Sequence, residues 1–212
     1  MNHKQRSVYL LYGFLLFITL IVLSIFVNYD FFRDFDYRSI VAMQKIQNPL
    51  IDYLFSTLTL LGSQEIIFLF IFTIFSFLYY KNKKLVLAPF LYILIYPFEL
   101  LGKLIVYHPK PPLFLNRYVF EFNFPSSFIV ETNYSYPSGH MARSMFLVAI
   151  LFFLLQRSRL SFWRKKAAYL FLVVYLLSIF VSRLYLGEHW FSDCVGGAIL
   201  GFSIANLSFA LW

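Results

Sequence analysis

Six runs of roughly twenty mostly apolar residues restrict what this chain can become. A helix of that length crosses about 30 Å of hydrocarbon, and lipid admits only helices and closed barrels, because it leaves no water for unpaired backbone groups. The runs cover residues 8–27, 63–80, 85–107, 138–155, 167–185 and 191–211. Composition agrees: 60% of residues are hydrophobic and 13% charged, where a soluble domain carries about 25% charged residues. This excludes a disordered chain and an ordinary soluble globule. The expected fold is all-α: an integral membrane bundle of six transmembrane helices, forming one membrane-embedded domain over residues 1–212. The first run follows a basic start but is too long for a signal peptide and precedes no small-residue cleavage site, so it reads as a retained span. A shorter stretch opens at Asn48-Pro49, keeps Leu50, Leu54, Leu58 and Leu61 on one face and stops at Gly62. Too short to span, it is expected to be a short interfacial helix.

The formal net charge is +8, and a basic balance raises the question of nucleic acid. Position along the chain answers it. Lys4, Arg6, Lys81, Lys83, Lys84, Arg157, Arg159, Arg164, Lys165 and Lys166 fall in the three segments on one side of the six-span topology, with no acidic residue among them. Of the 18 basic and 10 acidic residues, the rest of the chain therefore holds 8 and 10. This is the positive-inside pattern. It places both termini in the cytoplasm of a cell-membrane protein and leaves no basic surface for nucleic acid.

The remaining polar residues gather at the opposite ends of the spans. Glu99, Lys103, His108 and Lys110 end the third run; Ser138, Gly139, His140 and Arg143 begin the fourth; Ser182 and Arg183 end the fifth; Glu188, His189 and Asp193 begin the sixth. Charged groups at such depth are costly and usually functional. Cations, histidines and an aspartate at one level suggest an anion site with acid–base chemistry. Ser138 suits a helix cap, and the first N–H groups of a helix form a phosphate cradle that Gly139 allows a ligand to approach. His189 and Asp193 are four apart and share a helix face, so the carboxylate can bond one ring nitrogen and leave the other free to attack. Arg183 offers a planar fork for phosphate oxygens. Gly197 and Gly201 form a GxxxG pattern suited to packing inside the bundle.

The chain resembles the type 2 phosphatidic acid phosphatase family. The family's first motif, lysine, six residues, then arginine-proline, reads here from Lys103 to Lys110-Pro111. The second, PSGH, is intact from Pro137 to His140. The third, serine-arginine, five residues, histidine, three residues, aspartate, is intact from Ser182 to Asp193. The resemblance implies a membrane lipid phosphatase that needs no metal or other cofactor and works through a phosphohistidine, with its core motifs within residues 99–193. His189 is then the nucleophile, Asp193 its orienting carboxylate and His140 the general acid. Lys103, Lys110, Ser138, Gly139 and Arg183 hold the phosphoryl oxygens. Lys110 stands where the family has arginine, keeping the charge but losing the bidentate fork. Arg143 either adds a phosphate contact, bonds helix-end carbonyls or pairs with Glu99 or Glu188. His108 matches no family position and reads as a hydrogen-bonded structural residue at the mouth of the site.

The implied substrate is a lipid phosphate or diphosphate in the bilayer, with undecaprenyl diphosphate, phosphatidylglycerophosphate and phosphatidate as options, met on the outer side of the membrane. Two other readings use the same cations: a non-catalytic binder or transporter of lipid phosphates, and a lipid phosphotransferase. A binder has no need of a histidine oriented by a carboxylate. Only the products separate the phosphotransferase. The sequence assigns no oligomeric state.

Overall fold

Each expected span is a helix in the computed structural model, which describes residues 2–81, 86–120 and 132–212. The six long helices are α1 (His3–Asn28), α4 (Gln64–Lys81), α5 (Leu87–Ile105), α6 (Gly139–Arg157), α7 (Phe162–Tyr185) and α8 (Phe191–Phe209), each long and apolar enough to cross a membrane. No strand occurs among the described residues. The chain is a multi-pass, all-α membrane protein. Lys83, Lys84, the expected span start at Leu85 and the central part of the aromatic segment before Tyr136 lie outside the described residues.

Local sequence explains the helix boundaries. Asn2 caps α1, its side chain accepting from the Gln5 N–H at 2.8 Å. The helix α7 starts five residues before the expected 167, because a helix need not end where the hydrocarbon does; Arg164, Lys165 and Lys166 sit in its first turns. The helix α5 tightens to a 3-10 turn over Leu91–Leu94, between Pro89 and Pro97. Pro97 has no N–H to give the Ile93 carbonyl, which accounts for the change. The helix ends at Ile105, so His108 and Lys110 lie on an extended segment beyond it and Lys110 does not share a helix face with Lys103.

Two short helices lie beside the bundle. The expected interfacial helix is α3 (Pro49–Leu58), continued by a 3-10 turn over Thr59–Gly62; Asn48 caps it through the Ile51 N–H at 3.0 Å. The other, α2 (Arg33–Gln44), lies between the first span and α3, in a stretch for which no apolar run or motif indicates a helix. It buries one side at i, i+4 spacing: Asp36 and Ile40 are buried, and the Gln44 amide one turn on donates to the Leu115 and Tyr185 carbonyls at 2.7 and 2.8 Å.

The centre of the bundle is α6 against α8. In their most apolar windows 61% and 67% of residues are buried, against 17% for α1 and α4, which therefore turn most of their surface outward. Glycines set the close approach. The side of Gly197 meets the Ser138 carbonyl and that of Gly201 meets the Ala142 carbonyl, so the GxxxG pattern works inside the bundle. Phe146, Ile150 and Phe153 of α6 pack with Leu200, Ile204 and Phe209 of α8 in the main core. This contact fixes the start of α6 beside the start of α8, which is where the second and third motifs lie.

Candidate active site

The turn from α7 into α8 carries most of the third motif. Gly187 adopts a positive φ of 68°, and a side chain there would run into the Leu115 backbone, so glycine is required. The Glu188 and His189 N–H groups donate back to the Arg183 carbonyl at 3.2 and 3.3 Å. That fold-back brings His189 over the end of α7. One helical turn later, Asp193 Oδ2 accepts from His189 Nδ1 at 3.1 Å and from the Trp190 N–H at 3.0 Å. With Nδ1 donating, His189 Nε2 is left with its lone pair. Burial pushes the His189 pKa below the ordinary imidazole value; Asp193 opposes this, while Arg183 and Lys103 add to it. The ring is therefore neutral at neutral pH, as an attacking nitrogen must be.

The second motif meets the third through the backbone, the Ser138 N–H donating to the Asp193 carbonyl at 3.0 Å. Ser138 holds the N-cap position of α6, but its side chain makes no capping bond, unlike the expectation. Among the described residues its buried Oγ has no hydrogen-bond partner, and it lies beside the weakly polar Cys194 thiol. His140 is half-buried, with Gly62 packed against its ring and with Arg183, Arg143, His189 and Lys103 in electrostatic reach.

The first motif reaches the same place from α5. Gly102 packs on Pro137, and Glu99 lies against Gly139, where a side chain would have no room. Glu99 is buried and binds two cations: Lys103 Nζ at 2.7 Å and Arg143 Nη1 at 2.6 Å. Of the roles open to Arg143, pairing with Glu99 is the one present, while its buried Nε has no partner. Arg183 is held by Thr59 Oγ1 at 2.8 Å, the Tyr118 hydroxyl at 3.0 Å and Glu188 at 3.1 Å, and its Nε is also buried without a partner. Tyr118 itself is half-buried beside the guanidinium, and desolvation raises its phenol pKa although Arg183 opposes the shift, so it stays a neutral hydroxyl.

Lys110 is the outlier. It is exposed and lines a cavity of about 580 Å³ together with His108, Trp190 and residues of α2, a lining that includes none of His140, Lys103, Arg143 and Arg183. The structure thus gathers His189, Asp193, His140, Ser138, Gly139, Lys103, Arg143 and Arg183, and sets Lys110 apart. It adds residues that motif spacing could not supply: Thr59 and Tyr118 on Arg183, and His108, whose Nδ1 lies 2.7 Å from Asp193 Oδ1.

A profile described as the PAP2 superfamily matches residues 84–212. The chain is 35% identical over 72 residues to phosphatidylglycerophosphatase B of Bacillus subtilis (strain 168), a stretch covering 34% of this chain and 36% of that relative. The aligned part is thus only about a third of the relative's own length. Two crystal structures share the fold. One is the first transmembrane PAP2 type phosphatidylglycerolphosphate phosphatase from Bacillus subtilis, with a TM-score of 0.73 and 21% identity over 93% of this chain and 94% of that one. The other is LpxE of Aquifex aeolicus, with a TM-score of 0.58 and 24% identity over 82% of this chain and 94% of that one. The profile covers well over half of the residues and contains all three motifs, so this chain belongs to the PAP2 superfamily.

Proposed function

We propose that the chain is a lipid phosphatase that removes a phosphoryl group from a lipid phosphate or diphosphate at the outward face of the cell membrane, through a phosphohistidine and without a metal. The observation that carries this reading is a set of three buried polar atoms, Ser138 Oγ, Arg143 Nε and Arg183 Nε, that find no hydrogen-bond partner among the described residues and lie on the residues around the two histidines. Buried polar groups are nearly always bonded. A phosphoryl group with three oxygens would satisfy all of them, held further by Lys103 and the N-terminus of α6 at Gly139.

The chemistry follows from the two imidazoles. His189 Nε2 attacks phosphorus while the Asp193 carboxylate stabilises the positive charge growing on the ring. The bond from phosphorus to the leaving oxygen breaks, and His140 gives that oxygen a proton. Water then attacks phosphorus and passes its proton to His140, the N–P bond breaks, and phosphate leaves. Arg183 needs its fork aimed during both steps, which is the service of Thr59, Tyr118 and Glu188.

Phosphatidylglycerophosphate, phosphatidate and undecaprenyl diphosphate make the substrate panel, the first because a relative is named for acting on it. In detergent micelles at least one is expected to release inorganic phosphate, with the rate unchanged by EDTA. Tight binding of all three without release would instead make the protein a binder or transporter, and loss of release with EDTA would reject the metal-free reading. Release to an added alcohol in place of water would make it a phosphotransferase.

Charge asymmetry supports the orientation, since Arg157 to Lys166 lies at the end of α6 opposite Gly139. Cys194 is buried, so Arg159→Cys supplies the one thiol open to a reagent among the described residues. A membrane-impermeant maleimide is expected to label it only after the cells are permeabilised. Labelling of intact cells would reverse the orientation.

A further inference from the structure

Asp193 serves two imidazoles at once. His189 Nδ1 approaches Oδ2 at 3.1 Å, and His108 Nδ1 approaches Oδ1 at the shorter distance of 2.7 Å. Beyond His108 stands a second carboxylate, with Asp36 Oδ2 3.6 Å from His108 Nε2. Asp36 is fixed in turn by the Ser192 N–H at 2.8 Å and the Ser192 hydroxyl at 2.7 Å. The His108 backbone carbonyl accepts from the Ser135 N–H and hydroxyl at 3.0 and 3.1 Å. All four acid–base side chains are buried. Residues from α2, the segment after α5 and the start of α8 thus form one line, Asp36–His108–Asp193–His189.

We infer that His108 is a positioning residue for the nucleophile, clamping Asp193 from the oxygen opposite His189 and carrying a positive charge that Asp36 supports. The inference rests on the phosphohistidine reading of His189. A carboxylate only accepts, so His108 Nδ1 must hold a proton; its Nε2 also faces a carboxylate, and the imidazolium satisfies both sides. Burial opposes that charge, but the hydrogen bond and charge of Asp193, followed by Asp36 and Asp30, outweigh it and raise the His108 pKa. The other charged neighbours line the cavity on the far side: Arg33, Asp34 and Arg38 of α2, and Lys110. Their side chains are exposed, of mixed sign and screened by water, so the two buried carboxylates dominate.

The consequence falls on His189. Without His108, Asp193 would keep one oxygen unpaired and its whole charge would bear on the nucleophile. That charge favours protonated His189, which cannot attack. With the His108 cation beyond it, Asp193 still orients the ring and still stabilises its charge in the transition state, but holds the resting nucleophile neutral to lower pH. His189 also faces Arg183, Lys103, Glu99 and His140, all retained when only position 108 changes.

The test compares His108→Ala and His108→Gln in the full chain, with phosphatidate in mixed micelles and rates normalised to monodisperse protein. In the alanine variant kcat is expected to fall about tenfold to a hundredfold, the usual scale for a partner acting through another residue, with KM within about twofold. The acidic limb of kcat/KM, which reports His189 losing its proton, is expected to move up by about one pH unit. Glutamine can still donate to Asp193 but carries no charge. It is expected to recover several-fold in kcat and to keep the shifted limb. A limb at the wild-type position in both variants, or a glutamine variant no faster than alanine, overturns the inference. Should the alanine variant fail to fold, the limb of the glutamine variant decides. His189→Ala is assayed in parallel: activity there removes the phosphohistidine reading itself, whereas an inactive His189→Ala with unmoved limbs removes only the role given to His108.

Discussion

His189→Ala is expected to lower kcat for phosphate release by about ten-thousandfold or more, with KM little changed, because it deletes the atom that forms the covalent intermediate. The cations that bind phosphate remain in place, so binding should survive. The fold should survive as well. Among the described residues the His189 ring makes one hydrogen bond, to Asp193 Oδ2, and that oxygen keeps the Trp190 N–H at 3.0 Å while Oδ1 keeps His108 at 2.7 Å. Acid–base partners separate the steps. After mixing with labelled substrate and rapid denaturation at alkaline pH, where phosphohistidine persists, label should stay on wild-type protein and be absent from His189→Ala. His140→Ala removes both the acid for the leaving oxygen and the base for the attacking water, so label should appear on it and disappear from it more slowly than on wild type. The pH sign follows from His189: burial holds it below the ordinary imidazole value of about 6.5, and the neutral ring attacks. The acidic limb of activity should therefore follow the depressed His189 pKa, while the alkaline limb is set by loss of the proton that His140 must give the leaving oxygen. Phosphate release that persists in His189→Ala at wild-type speed rejects the mechanism.

The parts of this site that could be read from sequence are those fixed by local geometry. The spans followed from hydrocarbon thickness, and the His189–Asp193 pair from one helical turn. The contacts that could not be read join distant residues. Arg183 meets Thr59 and Tyr118 across 124 and 65 positions, and His108 meets Asp193 across 85. The helix α2 was hidden for a different reason. Its apolar side is a single buried isoleucine between Asp36 and Gln44, too little for periodicity to reveal. Ser138 shows the limit of motif reasoning from the other direction: its position is a cap, but its hydroxyl is left free of capping, which suits a ligand better than a helix end.

Glu99→Ala is expected to destabilise the protein by about 3–5 kcal/mol, the cost of removing one partner from a buried ion pair, read as a fall of roughly 10 °C in thermal midpoint in detergent. Glu99 neutralises two cations inside the bundle, Lys103 at 2.7 Å and Arg143 at 2.6 Å, with its own side chain 11% exposed. The two cations should not suffer equally. The Lys103 side chain is 22% exposed and can turn its ammonium to water; that of Arg143 is 7% exposed and cannot. Most of the loss should therefore belong to Arg143. Adding Arg143→Met to Glu99→Ala replaces the stranded cation with an apolar side chain of similar length and should return a large share of the lost stability, a coupling of about 1–3 kcal/mol. Adding Lys103→Met to Glu99→Ala should return much less. Equal recovery in the two double variants would mean that Glu99 holds Lys103 as firmly as Arg143. Under the unequal outcome, Glu99 and Arg143 are a structural pair that joins α5 to α6 beside the phosphate site, and Lys103 is the cation free to leave Glu99 when a phosphoryl oxygen arrives.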